Sequence, residues 1–139
     1  YIYSPDDVIN RGELGIQGSR APEIIKLWLG FRFLGIEGIE KILIESLLKK
    51  SLFIEQLDKN KFEIYSGPLH ILSFLPKRMN AEESNNWTMK AKELLLKKNY
   101  MISRPFYKGK YHLRIVFGNF NTSSLHISEL TNLLNNFNA

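Results

Sequence analysis

The chain of 139 residues is long enough for one domain with a core of its own, since 44% of it is hydrophobic and 12% aromatic. It contains no cysteine, which excludes a disulfide framework and a thiolate metal site and suits a reducing cytoplasm. The formal charge is +5, but it is uneven: between Thr88 and Arg114 the cations Lys90, Lys92, Lys97, Lys98, Arg104, Lys108, Lys110 and Arg114 face Glu93 alone. Such a cluster is either a solvated helix face with its loop or an attraction for acidic ligands and nucleic acid.

The opening Tyr1-Ile2-Tyr3-Ser4-Pro5 has neither the basic start and apolar run of a leader nor an initiating Met. No apolar stretch approaches the ~20 residues that span a bilayer, so the sequence predicts a soluble piece of a longer chain with no membrane contact. Residues 1–20 read as an irregular lead-in, with Pro5, Asp6, Asp7, Asn10, Gly12 and Gly15 breaking any periodicity. Gly18 and Ser19 suit a turn, Ser19 can cap a helix, and Pro22 is tolerated in a first helical turn. Arg20 then sits at a helix N-terminus, a place suited to anions. From Pro22 to Leu34 nearly every residue is apolar, which predicts a helix that is nearly buried. A second start after Gly35 gives a long amphipathic helix to about Leu57, with Ile39, Leu43, Leu47 and Ile54 as its stripe and Ile42 and Phe53 beside it.

Phe62 to Tyr65 and Leu69 to Leu75, joined by Ser66-Gly67-Pro68, predict two strands and a turn. A helix capped by Asn80 runs from about Ala81 to Lys98 around Trp87, Ala91, Leu94 and Leu95. Met101 to Tyr107 and Tyr111 to Phe117, separated by Lys108-Gly109-Lys110, predict a hairpin. A last helix follows the caps at Asn121 to Ser124, with Leu130, Leu133, Leu134 and Phe137 on one side. The order α-α-β-β-α-β-β-α predicts an α+β domain, a four-stranded antiparallel sheet with helices on one face, over residues 21–139.

In Tyr111-His112-Leu113-Arg114-Ile115-Val116-Phe117 the odd positions share the helix-covered face, and His112, Arg114 and Val116 the other. Arg114 is then either an ordinary exposed charge or a fork for a carboxylate or phosphate. Leu72 and Phe74 are out of phase with Leu69, Ile71 and Leu75, so one of these groups is expected to leave an apolar surface on the uncovered face, where a partner docks. His70, His112 and His126 lie far apart with no i, i+4 pair, and no metal site is expected.

Arg20, then Lys26-x-Trp28, Arg32, Gly35 and Gly38 resemble the segment after the cofactor lysine in the group II pyridoxal-phosphate (PLP) decarboxylases, which act on glutamate, aromatic amino acids, diaminobutyrate and cysteine sulfinate. The resemblance extends through the rest of the chain. It implies the C-terminal small domain of a fold-type-I PLP enzyme, a carboxy-lyase of amino acids working as a homodimer. It also implies that Arg114, in Leu113-Arg114-Ile115 followed by Asn119, binds the substrate carboxylate. Gly18, Ser19 and Arg20 fall where the family places a loop into the partner subunit's active site, although Ala21 stands where many relatives have a second basic residue. PLP catalysis needs a Schiff-base lysine, a carboxylate on the pyridine nitrogen and a phosphate cradle. The family's lysine follows a His, and no His-Lys pair occurs here. The resemblance therefore puts the catalytic residues, cofactor lysine included, in a larger N-terminal domain upstream, and this piece alone is expected to be inactive. The alternatives are another PLP enzyme of the same fold, a lyase or aminotransferase, and a stand-alone basic module that binds RNA.

Overall fold

The computed structural model describes residues 23–137, and the chain divides between Ile36 and Glu37 into two units. Helix α1 (Glu23–Gln56) is one helical run with a break at Gly35, whose backbone lies at φ 68, ψ 176. That conformation is nearly closed to any residue with a Cβ, so the stop and restart that the sequence predicts fall at its glycine.

Before the break, the expectation of near burial fails. Phe33 is 89% exposed, Ile24 68% and Trp28 57%. Apolar residues occupy every side of this stretch, so burying it takes cover from several directions, and the described residues leave these side chains open.

From Glu37 onward the chain is α+β. The second part of α1 leads into β1 (Phe62–Ser66) and β2 (Ile71–Pro76), followed by α2 (Ala81–Lys97), β3 (Phe106–Tyr107), β4 (Lys110–Tyr111), β5 (Leu113–Val116) and α3 (Ser124–Asn136). Asn80 starts α2 with a reciprocal cap: its side chain accepts from the Glu83 N–H at 2.9 Å, and Glu83 accepts from the Asn80 N–H at 2.8 Å. Ser123 and His126 do the same for α3.

The sheet has three antiparallel strands in the order β1-β2-β5, and β3 and β4 form a separate hairpin. The four-stranded sheet is therefore corrected to three strands plus two. The cause is one missing donor. Ser103 pairs with Arg114, Phe106 with Tyr111 and Tyr107 with Lys110, so one register runs through the whole segment. Between them the His112 N–H reaches the Pro105 carbonyl at 3.0 Å, but Pro105 has no N–H to return. The ladder is cut there, and β3 and β4 stand as a separate pair.

One sheet face supplies Phe62, Leu72, Phe74, Leu113 and Ile115 to the core, where they meet Phe53 of α1, Trp87, Ala91 and Leu95 of α2, and Ile127, Leu130 and Leu134 of α3. All three helices thus contribute to the cluster on this face. Aromatic rings run through it in tilted or edge contacts: Phe117 to Phe53 at 5.6 Å, Phe53 to Phe74 at 5.5 Å, Phe74 to Phe62 at 5.7 Å, and Phe62 to Trp87 at 5.8 Å. Each such pair contributes about 0.5–1.5 kcal/mol beyond its area.

The stripe of α1 that faces this core is the expected one only in part: Phe53 lies in the core and Ile54 packs against it. Ser46, Lys50 and Phe53 are buried, whereas Leu43 and Leu47 are exposed and Ile39 and Ile54 half-buried. A lysine is tolerated there because its ammonium donates to the carbonyls of Gly67 (2.8 Å) and Leu69 (2.6 Å) in the β1–β2 connection, while its stem packs inward. On the second face of the sheet, Leu75 and His112 are buried, and Ile71 and Val116 are exposed. The apolar surface expected there is thus only partly present.

Candidate functional site

The second face is the one that carries chemistry. Tyr65 of β1 pairs with Ser73 of β2, Ser73 with Arg114 of β5, and Arg114 with Ser103, so these four residues form one row across the strands. Alternation puts Leu113 and Ile115 in the core and turns Arg114 to solvent, as the sequence predicts. The Arg114 Nε–H donates to Ser103 Oγ at 3.0 Å. Among the described residues the only ion pair joins Lys26 and Glu23, at 2.8 Å, so the Arg114 guanidinium carries no carboxylate from the described residues.

His112 lies two residues before Arg114 on the same face but is 1% exposed. The tip of the hairpin explains this. The turn at Lys108 (φ 49) and Gly109 (φ 76) is left-handed at both positions, and Tyr107 stands edge-on to Tyr65 across the sheet, with ring centroids 6.0 Å apart. Both rings pack on the His112 imidazole, at 5.2 and 5.8 Å. Lys108 Nζ lies over both tyrosines, 5.6 Å from Tyr65 and 5.4 Å from Tyr107. His112 donates through Nδ1 to the Lys110 carbonyl at 3.1 Å. Desolvation under the two rings pushes its pKa down, against the raising effect of that bond and of Glu63. The one carboxylate of β1, Glu63, accepts from the Tyr65 hydroxyl at 2.7 Å, and this bond first, then burial, raises the tyrosine's pKa.

The face therefore offers a guanidinium with no ion pair among the described residues, beside a closed aromatic cluster that is edged by Lys108 and Glu63. It can bind an anion; it holds no activated nucleophile. The basic run from Lys90 to Arg114 is not one open stripe, because several of its members are committed. Arg104 donates to Thr88 Oγ1 at 2.8 Å and to the Asn85 side chain, and Lys110 reaches the Met79 carbonyl.

Of the residues singled out in the sequence, Arg114 stands on the open face, and Gly18, Ser19 and Arg20 lie outside the described residues. Ser103, Tyr65, Tyr107 and the burial of His112 escaped sequence reasoning. Counting back from a Lys108-Gly109 turn would have set Ser103 opposite Arg114, since the register is constant. The contact between Tyr107 and Tyr65 joins strands that are not neighbours, and no local pattern announces it.

No protein-family model matches the sequence, and no curated protein matches it. Solved structures do match the fold. Oryza sativa TDC, crystallised with PLP and tryptamine, superposes with a TM-score of 0.69 at 16% identity over 78% of this chain and 25% of its own. Mouse CSAD gives 0.65 at 20% identity over 96% of this chain and 32% of its own. Rhodiola rosea 4-hydroxyphenylacetaldehyde synthase gives 0.68 at 19% over 84% and 26%. The chain has the fold of part of these enzymes. It spans about a quarter to a third of the length of the structures it matches. Among the described residues no helix is long and apolar enough to cross a membrane.

Among the described residues the only buried lysine, Lys50, donates to two main-chain carbonyls. Two further lysines also donate to main-chain carbonyls, Lys77 to that of Lys59 and Lys49 to that of Asn119.

Proposed function

We propose that this chain is the C-terminal α+β part of a PLP-dependent amino-acid decarboxylase, and that Arg114 takes the substrate's carboxylate. The observation that carries this is the guanidinium itself, turned out of the uncovered sheet face and free of any ion pair among the described residues, in a fold shared with solved structures of that class. A planar guanidinium offers parallel N–H groups that match a carboxylate, and a charge-assisted bond of this kind is worth about 1.5–3 kcal/mol. On this reading residues 1–20 lead in from a larger N-terminal domain that holds the cofactor lysine. Gly18, Ser19 and Arg20 reach the active site of the second subunit of a homodimer. The enzyme is cytoplasmic, binds no nucleic acid, and needs more than this piece for activity.

Because an aldehyde synthase shares the fold as well, the fold alone does not choose among PLP reactions. The test is release of labelled CO₂ from carboxyl-labelled amino acids by the full enzyme, with the Arg114→Lys variant beside it. Expected are stoichiometric CO₂ and amine, and a fall in catalytic efficiency on the order of ten- to a hundredfold in the variant with its melting temperature unchanged. Absence of CO₂ across the amino acids, or an unaltered variant, overturns the reading.

A further inference from the structure

Arg114 and Ser103 are joined more completely than a strand pair requires. Each main-chain N–H donates to the other's carbonyl, at 2.8 Å from Arg114 to Ser103 and 3.3 Å in return. The Ser103 hydroxyl then adds two further bonds to the same residue: it donates to the Arg114 carbonyl at 3.2 Å and accepts from Arg114 Nε–H at 3.0 Å. Its one proton and an acceptor site are used on a single neighbour, so it is a holder of that neighbour.

A guanidinium can meet a carboxylate in two planar ways, side-on through Nε and one Nη, or end-on through both Nη groups. With Nε occupied by a hydroxyl, the side-on approach is closed and the end-on one remains. The anchor is also neutral. An aspartate at this place would accept from Nε equally well but would cancel the charge that attracts the ligand, whereas a hydroxyl fixes the group and leaves its charge intact. We infer that Ser103 is a positioning residue that restrains Arg114 by its Nε edge and presents the outer fork end-on to a substrate carboxylate. The inference rests on the proposed role of Arg114.

The experiment uses the PLP-loaded full-length enzyme and two probes by calorimetry, the amino acid it decarboxylates and the matching amine, which lacks the carboxylate. In Ser103→Ala the dissociation constant of the amino acid should rise roughly three- to tenfold while that of the amine stays put. Ser103→Thr, which keeps the hydroxyl, should stay within about twofold of wild type. Ser103→Asp should weaken the amino acid more than Ala does, although it keeps a partner for Nε. Equal weakening of acid and amine, or an Asp variant that binds the acid like wild type, overturns the positioning role. Arg114→Lys separates the two claims. If it leaves the acid's affinity unchanged, the carboxylate reading falls and this inference with it. If it weakens the acid while Ser103→Ala does not, Ser103 alone is removed.

Discussion

The guanidinium of Arg104 lies 3.7 Å from the ring centroid of Tyr111, and on its other side it grips α2. Its Nε donates to the buried Thr88 hydroxyl at 2.8 Å, and an Nη group donates to the Asn85 side chain. One side chain thereby ties the hairpin arm to the helix that crosses the core, where the ladder itself is cut at Pro105.

Replacing Arg104 by Ala should therefore destabilise the fold by about 2–3 kcal/mol, the sum of a charge-assisted bond and a stacked cation. Arg104→Lys should recover less than half of this, because an ammonium cannot stack and fork together. Urea midpoints of the two variants against wild type check it. A loss below about 0.5 kcal/mol for Ala would mean that the hairpin is held by its rings alone.

Lys50→Met keeps the apolar stem of the side chain and removes the donor shared by the Gly67 and Leu69 carbonyls. The expected cost is about 1.5–3 kcal/mol, with amide exchange accelerating first at Gly67, Leu69 and His70. Exchange measured residue by residue, together with a denaturation curve, decides between this and a uniformly weakened core.

His112 is expected to give the fold a pH dependence whose sign follows from its burial. Its pKa in the folded chain lies below the ordinary 6.5 because burial disfavours the imidazolium. As pH falls through about 6.5 the unfolded chain binds a proton that the folded chain does not, so stability is fully present above that pH and declines towards the lowered folded value. His112→Asn, which keeps a donor for the Lys110 carbonyl, should lose this slope. Unfolding free energies from pH 8 to pH 5 for both proteins would show it, and parallel curves would refute it.

Pro105→Val restores the missing N–H opposite His112. The ladder should then close from Ser103 to Tyr107, and the new amide at 105 should exchange slowly. If that amide exchanges like a free loop, the interruption has a cause other than the missing donor.

The helices, the two predicted hairpins, the cap at Asn80 and a cap within Asn121 to Ser124 were legible because each depends on neighbours in sequence. The alternation that turns Arg114 outward was legible for the same reason. The inward stripe of α1 was legible only in part, at Phe53 and Ile54. Leucine spacing favoured Leu43 and Leu47, but Ser46 and Lys50 are buried, since the carbonyls at 67 and 69 require a donor that only the tertiary fold brings near. Pro105 was visible as a residue; its effect depended on register, which placed its missing N–H on the inward side of the arm. The burial of His112 came from Tyr65 and Tyr107, 42 residues apart in the chain.

The two tryptophans, one on each side of the break at Gly35, differ sharply in surroundings: Trp28 is 57% exposed and Trp87 3%. Indole emission shifts to the blue when water is excluded, so each unit contains its own optical reporter, with Trp87 responding to the state of the aromatic core and Trp28 to whatever comes to cover the first helical stretch. A Trp87→Phe variant isolates the second signal, and docking of a partner onto residues 23–34 would then be read directly as a blue shift, without any label added to the protein.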